Sequence, residues 1–240
     1  MPHSFRRHPA PVLLAALAVL AAYGNAAGRM TSPHPARGPS HSSTASGPYT
    51  ITRVSGAGAV GSTDPANKFN NGSSWINAYI VPPLAAYAPP IAGSHYIAKT
   101  PTLSTLLPPG TTTFRTTFSL PAGFTAPSLS ISVHADNYAT ILVNGHVIGG
   151  HPLNQSYTIQ NNFQGSPEIF ASSNAGFFVP GNNFLEINLT NVGSTRTGTS
   201  PAALDYKATV QFYCKRGMYQ NGSCMRKKNV VVGPETLPSS

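Results

Sequence analysis

Acid–base chemistry needs carboxylates or histidines placed in pairs, and this chain offers few. Between residues 49 and 213 the acids are Asp64, Asp136, Glu168, Glu186 and Asp205. Glu186 and Asp205 fall in alternating, strand-like stretches and Asp136 in an Asp-Asn turn. No two of the five stand out as the acid and base that glycoside hydrolysis requires. No Gly-x-Ser-x-Gly occurs, so no serine is set on a strained strand-to-helix turn. His134, His146 and His151 lie close in sequence with Asp136 nearby. Their spacing fits no zinc-ligand pattern, and two cysteines cannot build a zinc site by themselves. We therefore assign no catalytic residue, no metal ligand and no cofactor. A structural calcium ion, held by loop carbonyls with Asp64 or Asp136, is the one ion left open. Gly56-Ala57-Gly58-Ala59-Val60-Gly61 fits G-x-G-x-x-G. It runs into Ser62-Thr63-Asp64-Pro65 rather than a helix, so it reads as a loop and not a dinucleotide site.

Binding chemistry is better represented. Aromatic faces stack on the apolar faces of sugars, and amides bond hydroxyls. Trp75, Tyr87, Tyr96, Tyr138 and Phe163 have Asn77, Asn161 and Asn162 around them. These eight are the candidate ligand contacts. Tyr87, Tyr96 and Phe163 fall in long, turn-rich stretches at 82–110 and 150–170, where a rigid scaffold usually carries its binding residues. Trp75 and Tyr138 sit in strand-like segments, where packing in the core competes with contact. Asn71, Asn154, Asn188 and Asn221 each begin N-x-S/T, a glycosylation acceptor in a suitable secretory pathway.

The elements that must hold these residues are strands. YTITRV at 49–54 alternates, and WINAYIV at 75–81 is branched and aromatic. In 111–120 one face collects Phe114, Phe118 and Leu120; in 129–133, Leu129, Ile131 and Val133. YATILVN at 138–144 follows the Asp136-Asn137 turn. Leu185, Ile187 and Leu189 share a side in 184–192. Leu204, Tyr206, Ala208, Val210 and Phe212 do so in 204–212. Period-two alternation means one face in a core and one in water, the pattern of antiparallel sheets packed face to face. Outside the N-terminal apolar run no segment sustains a helical period.

Charge and cysteine usage set the compartment. Only 9% of residues are charged, and the net charge is +9. The stretch 49–213 holds six basic residues against five acids, which leaves +1, so the basicity belongs to the tails and argues against a nucleic-acid partner. Arg6 and Arg7 precede an apolar run of 13 residues, Pro11 to Tyr23, and then Gly24-Asn25-Ala26. This is the layout of a cleaved secretory signal, too short to stay as a membrane span. Cys214 and Cys224, ten apart around Asn221-Gly222, read as one disulfide closing a small loop in an oxidising compartment.

Three segments together resemble a known family. FRTTFSLPAGF (114–124) resembles its opening strand. LSISVHADNYATILVNGHVIGG (129–150) resembles its middle, a strand ending in V-N-G. AGFFVPGNNFLEINLTNVGS (175–194), followed by PAALDYKATVQF (201–212), resembles its last two long strands. The family is that of the galactose-binding-like β-sandwiches, similar to the sugar-binding domain of family 2 glycoside hydrolases and to modules of secreted bacterial proteins. The resemblance implies a fold more than a function, because one fold carries many functions.

The expectation is an all-β antiparallel β-sandwich or jelly roll, galactose-binding-like. It has a signal peptide at 1–26, a disordered linker at 27–48, the β-sandwich domain at 49–213, and a disulfide-closed loop with a basic tail at 214–240. We expect a secreted, extracellular or periplasmic, non-catalytic module that binds carbohydrate through loop aromatics and amides. The other expectation is a structural or adhesive protein that assembles with itself or other chains at a surface, in a matrix or in a filament.

Overall fold

Alternating apolar residues close into paired strands throughout the computed structural model, which describes residues 48–151, 162–194, 198–214, 217–220 and 223–226. The expected leader at 1–26, the linker up to residue 47 and the tail after residue 226 lie outside the described residues. The strands are β1 (Tyr49–Val54), β2 (Thr63–Asn70), β3 (Trp75–Ile80), β4 (Ile97–Ala98), β5 (Gly110–Leu120), β6 (Phe124–Ala135) and β7 (Tyr138–Val143). They continue as β8 (His146–Gly150), β9 (Glu168–Ser172), β10 (Gly181–Asn191), β11 (Leu204–Cys214), β12 (Gly217–Gln220) and β13 (Ser223–Arg226). Every pairing is antiparallel.

The fold is an antiparallel β-sandwich. One layer runs β8-β7-β10-β5-β2-β3, and the other carries β9, β6, β11 and β1. The two-residue β4 joins them, because Ile97 pairs with Ile80 of β3 on one side and with Leu204 of β11 on the other. Between the layers Phe114, Phe118, Ile141, Val143, Leu185 and Ile187 meet Leu129, Ile131, Val133, Leu204, Tyr206 and Phe212, all buried. Each such side chain contributes roughly 1.5–3 kcal/mol by leaving water. A smaller cluster of Val81, Tyr87, Tyr96, Ala98, Leu103, Phe163 and Ala203 packs apart from it. Cys214 and Cys224 form the disulfide.

Turn residues do what their chemistry allows. Asn144 and Gly145 both take positive φ, 49° and 83°, and so turn β7 tightly into β8. The strands not read from the sequence are β2, β4, β8, β9 and the terminal pair β12–β13. In β2 the pairing with β3 jumps between Asp64↔Ala78 and Lys68↔Asn77, so Pro65, Ala66 and Asn67 bulge out of register. That bulge hides the alternation.

Candidate functional site

The loop aromatics do not face solvent. Tyr96 is fully buried, and Tyr87 and Phe163 are 9% and 8% exposed. Their rings pack together, with centroids 5.1 Å apart for Tyr87–Tyr96 and 4.8 Å for Tyr87–Phe163. This corrects the expectation of loop contact residues. The loop after β3 must exclude water from Val81, Ala98 and Ala203, and these rings do so as a second core. Tyr138 is also buried, its ring 5.8 Å from that of His151. Asn161 lies outside the described residues, as does the side chain of Asn162, which opens a single 3-10 turn.

Trp75 and Asn77 behave differently. They lie on one side of β3, half-buried, and join a surface that the sequence reading missed. On β5, Phe114, Thr116 and Phe118 point inward, which leaves Arg115 and Thr117 outside. On β10, Leu185 and Ile187 point inward, which leaves Phe184 and Glu186 outside. Register then sets Asn77, Lys68, Arg115 and Glu186 in a row across β3, β2, β5 and β10. The Arg115 guanidinium lies 3.9 Å from the Trp75 ring centroid and 4.7 Å from that of Phe184. Its Nε and Nη2 both donate to Glu186 Oε1, at 2.9 and 2.5 Å. A stacked, bidentate arginine of this kind is held in one geometry.

Beside this stack runs an open groove of about 680 Å³, lined by Thr52, Arg53, Lys68, Trp75, Arg115 and Phe184 among others. Arg53 donates from Nε to the Thr117 carbonyl at 2.7 Å and from Nη1 to that of Thr52 at 2.9 Å. Lys68 is exposed, and its Nζ has no hydrogen-bond or ion-pair partner among the described residues. The signal for these residues was present in FRTTF and FLEIN. A charged or aromatic residue stood there in the solvent phase of an alternating strand, but so it does on most sheets.

The buried acids are spent on loops. Asp64 accepts from Gly56 N, Ala66 N and Asn67 Nδ2 at 2.7, 2.9 and 2.6 Å. Asp205 accepts from Ser55 Oγ, Ser94 Oγ and Ile91 N, with His134 Nδ1 3.3 Å away. Ser94, Asp205 and His134 have the residue types of a hydrolytic triad in the wrong order. Serine and imidazole both address the carboxylate, so no base faces the hydroxyl. Asp136 accepts from the Tyr87 hydroxyl at 2.5 Å. Burial pushes its carboxyl up to about 6, against the lowering effect of that bond. The same burial and the neighbouring Asp136 push the Tyr87 hydroxyl well above its usual range. His146 stacks on Phe177 at 4.6 Å, and His151 Nε2 lies 2.7 Å from Glu168 Oε1. Among the described residues no three His, Cys, Asp or Glu side chains gather as a metal ion would require, and no helix is long and apolar enough to cross a membrane.

No protein-family model matches the chain, and no curated protein matches it. Among solved structures it is similar to an α-L-rhamnosidase of Streptomyces avermitilis complexed with L-rhamnose, at 19% identity and a TM-score of 0.37, over 57% of this chain and 13% of that one. It is similar to a family 35 carbohydrate-binding module from Clostridium thermocellum, at 14% identity and a TM-score of 0.35, over 66% of this chain and 97% of that one. It is similar to the β-glucuronidase of Ruminococcus gnavus, at 12% identity and a TM-score of 0.36, over 68% of this chain and 29% of that one. The chain thus spans less than a third of the length of each of these two enzymes.

Proposed function

We propose that this chain is a secreted, non-catalytic module that binds carbohydrate across the outer face of β3, β2, β5 and β10. The observation that carries the reading is the Trp75–Arg115–Phe184 stack on the solvent side of three strands. Most other described aromatic rings are buried or half-buried, Tyr213 on β11 being the other exposed one. Here Phe184 stays 39% exposed beside a groove, with Asn77 and Thr117 offering hydrogen bonds. Rings already fixed by their neighbours lose little entropy when a ligand docks. Strands replace loops as the source of contacts in this reading. Support for the non-catalytic part is that Asp64 and Asp205 are each occupied by several donors. Support for secretion is the leader-like N-terminus and the Cys214–Cys224 bond, which persists in oxidising compartments.

The test is titration of the folded chain with a panel of soluble neutral and acidic polysaccharides. Trp75→Ala and Phe184→Ala are each expected to weaken binding about tenfold or more, given what aromatic contacts contribute. Ser130→Ala, on the opposite layer, is expected to leave it unchanged. If no polysaccharide binds the folded chain, the reading is abandoned.

A further inference from the structure

We infer that the groove takes an acidic polysaccharide and that its carboxylate is held between Lys68 and Arg53. This rests on the carbohydrate reading above and names the ligand class within it. Three cations line the groove: Arg53, Lys68 and Arg115. Glu186 neutralises Arg115 through two hydrogen bonds to one oxygen. The other two cations keep their charge, and no described acid forms an ion pair with either. Arg53 is not loose. Its Nε and Nη1 are tied to backbone carbonyls, which leaves Nη2 without a partner among the described residues. The carbonyl that holds Nε belongs to Thr117, two residues along β5 from Arg115 and on the same face.

Register adds a second observation. Lys68 pairs directly with Arg115 across β2 and β5. Glu186 already neutralises Arg115, so Lys68 is the member of this pair whose charge is left for a ligand. Trp75 and Phe184 also favour an anion over a neutral sugar as the central contact. Arg115 already covers a face of each ring, which leaves less aromatic face for stacking on a neutral sugar. The groove's volume of about 680 Å³ is far more than one carboxylate fills, which suits sugar residues attached to it.

The experiment is calorimetric titration of the folded chain with polygalacturonate, alginate and hyaluronan, each beside its methyl-esterified counterpart. At low salt at least one free acid is expected to bind about tenfold more tightly than its ester, the scale set by one or two partly exposed charge contacts. That advantage is expected to shrink as sodium chloride screens it. Lys68→Gln and Arg53→Gln are each expected to bring the acid's affinity toward that of the ester. Lys68→Arg is expected to keep the preference, and equal melting temperatures establish that the variants fold. Equal binding of acid and ester overturns the inference and leaves the carbohydrate reading standing. Binding of duplex DNA or dextran sulfate as tight as that of the best acidic polysaccharide also overturns it, because the groove then answers to charge alone. If no polysaccharide of either kind binds, both readings fall.

Discussion

Asp136 reaches the Tyr87 hydroxyl in a place where water cannot solvate its charge. Its carboxyl is therefore pushed from 3.8 up to about 6. A raised carboxyl makes the folded state bind its proton more tightly than the unfolded chain does. The stability this contributes is fully present below pH 3.8 and is lost as pH rises through about 6. Asparagine keeps an acceptor for Tyr87 and removes the titration. The stability advantage of the native chain over Asp136→Asn is therefore expected to fall by on the order of 2 kcal/mol between pH 4 and pH 7. Urea unfolding at the two pH values measures it, and a constant difference would contradict the assignment. Tyr96 belongs at this scale too. It is fully buried, so Tyr96→Ala is expected to cost about 3–5 kcal/mol as any large ring lost from a core does. If that variant loses ligand binding, its melting curve is expected to show that it has lost stability first.

Lys68 faces the groove because of a bulge rather than because of simple alternation. Pro65, Ala66 and Asn67 have no partners on β3, and pairing resumes at Lys68↔Asn77. The bulge is fixed from beneath. Asp64 accepts from the Gly56 and Ala66 amides and from Asn67 Nδ2, and Asn67 Oδ1 accepts from the buried Tyr206 hydroxyl. Asn67→Ala strips a partner from both Asp64 and Tyr206. Each hydrogen bond lost costs about 1–2 kcal/mol, although Asp64 keeps the Gly56 and Ala66 amides, and the loss frees Lys68 to move. The variant is expected to lose about 2–4 kcal/mol of unfolding free energy and to weaken acidic-polysaccharide binding although Asn67 does not line the groove. Binding measured well below the melting temperature separates the two effects. The bulge also marks where reading the sequence stops. β5, β6, β7, β10 and β11 were legible because apolar residues recur at every second position and bury one face. β2 was not, since TDPANKFN breaks that rhythm, and the glycine-rich stretch before it looks like continuing loop. The candidate site was partly legible. Trp75 and Asn77 were singled out, but Lys68, Arg115, Phe184 and Glu186 become neighbours only through pairings between residues some 45 to 80 apart. Tyr87, Tyr96 and Phe163 misled for the converse reason, since turn-rich composition does not reveal that a loop folds its rings inward.

The sheet path begins at β8 and finishes at β9, and these two five-residue strands lie next to each other. The seam is closed by packing. An added Cβ on Gly149 would stand 2.6 Å from Phe170 Cδ1, and His151 Nε2 meets Glu168 Oε1 across it. Unpaired strand edges invite other chains, and proteins that stay apart cover them or keep them short. Here both ends are short and each shields the other. Edge-to-edge addition at β8 or β9 would need this seam to open; the outer edge of β1, which pairs only with β11, is a separate edge among the described residues. Gly149→Ala is expected to force it apart, at about 1–3 kcal/mol for the overpacking. Phe170→Ala placed in the same chain removes the clashing ring, so the double variant is expected to be more stable than the sum of the two single losses. Sedimentation reads the consequence for assembly. The native chain is expected to sediment as a monomer across its concentration range, and Gly149→Ala to associate as concentration rises. A native chain that assembles while the seam is intact would mean that another surface joins the copies. The groove face over β2, β5 and β10 would then have to be tested as a protein contact before any sugar is credited with it.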